Sequence, residues 1–103
     1  MLKLHDMPSY ADGAAALVLV NEKLVKPGQK AVGVSACEIA TDTLAVHDRA
    51  DMLAFEAVRI STEDALRKAG ITRDCLDLFE CWDAPSIYGM LSFEAAGFAE
   101  RGK

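Results

Sequence analysis

The sequence predicts an α/β layer in the order β-β-α-β-α, with a sheet that stays incomplete within one chain. Three stretches predict it. Gly13–Val20 is an unbroken apolar run of strand length that includes Val18 and Val20. Met52–Ala69 carries apolar residues at three- and four-residue spacing, the mark of an amphipathic helix. Leu76–Trp82 is a short, mostly apolar stretch that stops abruptly and hands over to a second helical pattern at Pro85. Strands alternating with amphipathic helices argue for parallel pairing. Ligands of such layers bind outside the carboxyl ends of the strands. The junction after Trp82 is therefore the place to look for a site.

In chain order, residues 1–12 read as a lead-in loop, with Pro8, Ser9, Asp12 and Gly13 as turn residues. The first strand, Gly13–Val20, ends at Asn21, and Pro27-Gly28-Gln29 is a turn. Ala31–Thr41 is the second strand candidate. Its small residues Gly33, Ser35 and Cys37 alternate with Val32, Val34 and Ala36, which predicts close approach by a helix or another backbone. Thr41–Asp51 is a long polar loop for so small a domain. It holds Thr41, Asp42, His47, Asp48 and Arg49, and reads either as the border of a ligand site or as a solvated connection.

The helix over Met52–Ala69 has an expected length of about 27 Å. Phe55, Val58, Thr62, Ala65, Leu66 and Ala69 form its apolar stripe. Glu63 with Arg67 and Asp64 with Lys68 are favourable pairs at four-residue spacing. Ser61-Thr62-Glu63-Asp64 fits a capping box and predicts a break near Ser61. Gly70 supplies a left-handed stop, with Ile71 folding back on the last turn. The last helix runs from about Ser86 to Ala96, capped by Asp83 or Ala84, with Ile87, Met90, Leu91 and Ala95 inward and Gly97 ending it.

Composition narrows the function. A chain of 103 residues is one small domain. An apolar fraction of 51% excludes a disordered chain. The formal charge is -5 and no Lys/Arg cluster forms, so binding to nucleic acid or to an anionic membrane surface is not expected. No apolar run has the length of a membrane span, and Met1–Asp6 lacks the apolar core of a signal peptide, which makes a cytoplasmic location the default. Cys37, Cys75 and Cys81 are an odd set without a CxxC pair. They read as buried thiols in a reducing compartment, not as a disulfide framework or a metal site.

The residues that carry chemistry are few. His5 and His47 are the histidines, each a candidate general base or an ordinary surface residue. Cys81 beside Trp82 and Asp83 is either a reactive thiol or a core one. Glu80 and Asp83 stand three apart at the strand end. One of them is a candidate proton-active carboxylate, and Asp83 is equally a candidate helix cap.

Three segments together resemble the thiolases, in particular the branch of the sterol carrier protein thiolases and the archaeal acetoacetyl-CoA thiolases. The first is Asp12-Gly13-Ala14-Ala15-Ala16-Leu17-Val18-Leu19, and the second is Ala65-Leu66-Arg67-Lys68-Ala69-Gly70-Ile71. The third is Asp77-Leu78-Phe79-Glu80-Cys81-Trp82-Asp83-Ala84, followed by Leu91, Glu94, Ala95 and Gly97. The family reads Glu-x-Asn-Glu-Ala-Phe or Glu-x-His-Asp-Cys-Phe at the third place. The resemblance covers about residues 3–99. It makes the layer thiolase-like, residues 1–26 the end of an N-terminal half and residues 27–103 the start of a C-terminal half.

What the resemblance implies is acyl transfer between coenzyme A thioesters, through a cysteine acyl-enzyme and a preorganised oxyanion hole. The thioester would be a substrate, and no covalently bound cofactor or metal is implied. The family's Asn or His, which serves the oxyanion, matches Trp82, and its acidic position matches Asp83; these are the candidate catalytic residues. An indole N–H donates a hydrogen bond but moves no proton, and Pro85 replaces the usual Phe. The resemblance also places the nucleophilic cysteine ahead of Asp12 and the Gly-His-Pro histidine and second cysteine beyond Lys103. None of the three cysteines falls on either position. Two readings follow: part of an acyltransferase completed by other segments, or a non-catalytic module that binds an acyl or lipid ligand or scaffolds a complex. Either way, an open sheet predicts a homo-oligomer or a completing partner chain.

Overall fold

A computed structural model describes residues 3–103. Met1 and Leu2, which open the stretch read above as lacking a leader and as part of the N-terminal half, lie outside it. Two α-helices form, α1 over Glu56–Ala69 and α2 over Ser86–Ala95. Short 3₁₀ turns at Leu4–Asp6, Glu22–Leu24, Val46–Asp48 and Arg73–Cys75 punctuate the rest.

The expected β-β-α-β-α layer does not form: among the described residues there is no strand and no sheet. The reason lies in the backbone. A helix satisfies its N–H and C=O groups within its own segment, whereas a strand needs a neighbour for every one of them. Within the described residues, the backbone N–H groups of 10–20, 31–41 and 77–84 donate to no backbone carbonyl. The side chains of the first run are left in solvent. Leu17 is 90% and Val18 89% exposed, and Val32 in the second run is 97% exposed. The radius of gyration is 17.0 Å, against about 13 Å for a compact chain of this length.

Helix α1 begins four residues later than its apolar pattern predicts. Asp51 sits ahead of it in a turn of its own: its carboxylate accepts from the Leu53 N–H at 3.0 Å, and its carbonyl from the Ala54 N–H at 3.2 Å. The expected break at Ser61 is absent, because the Ser61 hydroxyl donates back to the Val58 carbonyl at 3.2 Å instead of capping a new turn. The stripe Phe55, Val58, Thr62, Ala65, Leu66 and Ala69 is half-buried throughout, as its spacing predicts. The surface pairs are re-partnered. Arg59 binds both Glu56 and Glu63, Arg67 turns to Asp64 at 2.7 Å, and Lys68 reaches Glu38 at 2.6 Å.

Both helices end in the same way. Gly70 (φ 68°) and Gly97 (φ 79°) take the left-handed conformation. The Ile71 N–H reaches back to the Leu66 carbonyl at 3.2 Å, and the Phe98 N–H to the Phe93 carbonyl at 2.9 Å. These are the long bonds of a Schellman ending, which leaves the residue after glycine against the last turn. Arg73 completes the end of α2: its Nε–H donates to the Ala96 carbonyl at 2.7 Å, a cation on the negative pole of the helix.

The core is small. Leu91, Ser92 and Ala96 are the buried residues among those described. Ile87 and Ala95 are half-buried, but Met90, expected inward, is exposed. Phe79 pins the segment before α2 onto that helix, edge-on to Phe93 at 5.3 Å and tilted against Phe98 at 4.9 Å. Such ring pairs add about 0.5–1.5 kcal/mol beyond the area they bury. Leu53, Ala54, Phe55 and Arg59 meet Leu91, Glu94, Ala95 and Arg101 across a hollow of about 130 Å³. Arg101 closes this region by pairing with Asp51. Gly33–Ala36 runs along Ser61, Thr62, Ala65 and Ala69, but an open trough of about 620 Å³ separates them. A Cβ on Gly33 would meet nothing within 4 Å. The close approach expected from these small residues is therefore not made.

Candidate functional site

The residues ahead of α2 alternate in the direction they face. Cys81 and Asp83 line one hollow, with Ser86, Ile87, Gly89 and Met90. Trp82 lines another, with Asp42, Leu44, Val46, Arg49, Phe55, Ala57, Val58 and Tyr88. The two candidate catalytic residues, Trp82 and Asp83, are thus neighbours in sequence that serve different surfaces.

The Trp82 hollow holds about 370 Å³ and opens to solvent. Its aromatic wall is continuous. Phe55 stands edge-on to Tyr88 at 5.1 Å, and Trp82 edge-on to Tyr88 at 5.3 Å. Helix α1 positions Phe55 at its N-terminal boundary, and α2 positions Tyr88 in its first turn. Trp82 is 70% exposed, so its ring forms an outer wall and not part of the core.

The long loop supplies the polar rim. Two of its five polar residues singled out above, Asp42 and Arg49, reach this hollow. Arg49 Nε–H donates to the Thr43 carbonyl at 2.9 Å. Asp42 accepts from the Thr43 N–H at 2.7 Å and lies 3.7 Å from Arg49 Nε, an ion pair without a hydrogen bond. Both side chains are only 20% exposed. His47 instead points outward and lies 3.5 Å from Asp48, and Thr41 is exposed.

The other candidates part company with their expected roles. Asp83 does not cap α2, whose cap position is Pro85 without a side-chain hydrogen bond. Its Cβ instead packs close to the backbone of Gly89, where an added Cβ would lie 3.3 Å away. Glu80 and His5 are exposed. Cys37 and Cys75 are exposed and Cys81 half-buried, so the expectation of three core thiols fails for the first two. The run that was to bury Cys37 has no covering layer.

Perturbed ionisation lies away from the aromatic hollow. The Arg101 guanidinium, with the Leu53 N–H, holds the Asp51 carboxyl below its ordinary range. The Arg59 guanidinium does the same to Glu56. In return Glu56 and Glu63 hold Arg59 more firmly protonated, and Asp51 does so for Arg101. The Arg59 pairs brace α1 along its own surface, the Asp51–Arg101 pair joins the turn ahead of α1 to the C-terminal tail, and neither carries a sign of proton transfer.

Tyr88, Phe98, Arg73 and Arg101 were missed in the sequence. Phe98 was within reach: a glycine stop at 97 places residue 98 against Phe93. Tyr88 lies six residues beyond Trp82, across a turn into the helix, a spacing that marks no common face until the turn is known.

With this geometry in hand, comparison with known proteins gives the class. Residues 39–103 match the thiolase C-terminal domain-like family, and the chain belongs to that family. It is 35% identical over 103 residues to an acetyl-CoA acetyltransferase of Methanothermobacter thermautotrophicus, covering 99% of this chain and 27% of that protein. An acetyl-CoA acetyltransferase of Methanocaldococcus jannaschii is 30% identical, covering 97% of this chain and 26% of that protein. Sterol carrier protein 2 of Oryctolagus cuniculus is 32% identical over 99 residues, covering 90% of this chain and 18% of that protein. The chain thus spans about a quarter or less of the length of these relatives. No solved structure matches it. Among the described residues no helix is long and apolar enough to cross a membrane.

Proposed function

We propose that these residues form part of a thiolase-like acyltransferase that handles coenzyme A thioesters, and that the Trp82 hollow receives the acyl group. The observation that carries this reading is the convergence of the family-motif position, Trp82, with Phe55 and Tyr88 on one open apolar wall. Small-molecule sites are apolar concavities of several hundred Å³ with a few placed polar groups, and this hollow fits that description. Membership of the thiolase C-terminal family and likeness to acetyl-CoA acetyltransferases supply the chemistry.

The role of Trp82 on this reading is to shape the pocket and offer one N–H to an oxygen. It does not take a proton, since indole has no acid or base function at these pH values. Asp83 faces away and acts through its packing on Gly89. The nucleophile and the histidine belong to segments beyond this stretch, residues 1–26 closing one half of the enzyme and 27–103 opening the next. The exposed runs around Leu17 and Val32 are then covered by a second copy or a completing partner, because apolar patches of this extent mark contact surfaces. One observation favours a second reading, an acyl-binding module without turnover: Trp82 stands where the family motif has a residue that can serve the oxyanion.

The chain holds a single tryptophan, so Trp82 emission reports on this site alone. Titration of the chain with hexanoyl-coenzyme A should give a saturable blue shift, while free coenzyme A gives a smaller one. The chain alone should cleave no acetoacetyl-coenzyme A. Absence of a saturable response to any acyl-coenzyme A would overturn the acyl-site reading. Turnover by the chain alone would overturn the assignment of the reacting groups to other segments.

A further inference from the structure

Arg49 is more than a strut of its loop. Its Nε–H is used by the Thr43 carbonyl, and its carboxylate neighbour Asp42 lies 3.7 Å from that nitrogen with one oxygen already taken by the Thr43 N–H. Among the described residues, neither terminal guanidinium nitrogen makes a hydrogen bond. These nitrogens belong to a side chain that is 20% exposed and borders the hollow walled by Trp82, Tyr88 and Phe55. A planar fork of N–H donors beside an apolar wall matches a carboxylate at the end of an apolar chain, which guanidinium can hold by two parallel bonds.

We propose that Arg49 makes this hollow selective for acyl groups that end in a carboxylate. The proposal rests on the acyl-site reading above and adds the substrate class. The hollow's volume of about 370 Å³ exceeds what an acetyl group fills, by roughly the room of several methylenes and a carboxylate. The Thr43 carbonyl sets the orientation: it takes the Nε–H of Arg49 and leaves the terminal N–H groups for the ligand. The apolar part of the acyl chain lies on Trp82 and Tyr88.

Adipoyl- and hexanoyl-coenzyme A test this directly. They share the coenzyme and the six-carbon chain and differ by the terminal carboxylate. Followed by Trp82 emission, the chain should bind adipoyl-coenzyme A about tenfold more tightly, the effect of one charge-assisted contact at a partly buried site. Arg49→Gln should bring the ratio of the two affinities to about one, with Arg49→Lys retaining part of the preference. Equal binding of the two thioesters by the unsubstituted chain overturns the proposal. Equal weakening of both by Arg49→Gln also overturns it, because Arg49 then holds a coenzyme phosphate. Should neither thioester bind, the acyl-site reading fails by itself. Free hexanoate against hexanamide, which has the same chain without the charged carboxylate, then decides the proposal, supported by hexanoate alone shifting the emission and overturned by any other result.

Discussion

The two ends of this chain contain similar proportions of apolar side chains and end up in different states. From Phe55 to Arg101 the chain closes on itself: two helices, two matching glycine endings, a Phe79–Phe93–Phe98 cluster and the Arg101–Asp51 pair. From Tyr10 to Val34 it leaves Leu17, Val18, Leu19 and Val32 in solvent. Hydrophobicity alone does not order a segment. Ordering costs about 1–2 kcal/mol per residue in backbone entropy, and only segments whose backbone bonds close locally offset it within one chain. The region matched by the family begins at residue 39 and contains the whole closed part.

The largest effect should come from the closed part. Leu91→Ala removes its most buried large side chain, and should cost about 2–3 kcal/mol in urea unfolding followed by helix content. An undetectable loss would mean that α1 and α2 do not share a core.

Next comes Gly97→Ala. A Cβ there would stand 2.7 Å from Arg73 Nε, on a backbone at φ 79°. Left-handed strain alone costs an L-residue about 1–2 kcal/mol, and the displaced Arg73 loses its bond to the Ala96 carbonyl. Gly28 has nearly the same φ, 82°, but open space around it and no closed structure nearby. Gly28→Ala should therefore leave the unfolding midpoint of the helical part unchanged.

A smaller effect is electrostatic. Folding lowers the Asp51 and Glu56 carboxyl pKa values, so the unfolded chain takes up protons first on acidification. Stability from these pairs is complete above the ordinary carboxylate range. It is lost as pH falls from about 4 through the lowered values. Asp51→Asn should flatten the acid limb of a melting-temperature profile modestly, as expected for solvent-exposed pairs. A steeper limb would contradict the assignment. Smallest of all, Leu17→Ser should change unfolding of the isolated chain by less than about 0.5 kcal/mol.

The same contrast explains what the sequence disclosed. The α1 stripe, the glycine stops and the Ile71 fold-back were legible because their causes lie within four or five residues, whereas Met90 of the α2 stripe is exposed. The Ser61 break was misread because a serine hydroxyl bonds its own helix as readily as it caps one. The strands at Gly13–Val20, Ala31–Thr41 and Leu76–Trp82 were inferred from length and apolarity, which state a need for partners without supplying them. At the site, Trp82 was legible through the motif, and Asp42 and Arg49 through the length of their loop. Tyr88 and the outward turn of Asp83 depended on how the chain enters α2, which no spacing records.

Amide hydrogen exchange at low protein concentration tests the central contrast most directly. Slow exchange should be confined to the backbone of α1, α2 and their glycine endings, with residues 13–20 and 31–39 exchanging at close to the rate of an unstructured peptide. Protection of those two runs equal to that of the helices would show that the chain orders its apolar segments by itself, and would contradict the account.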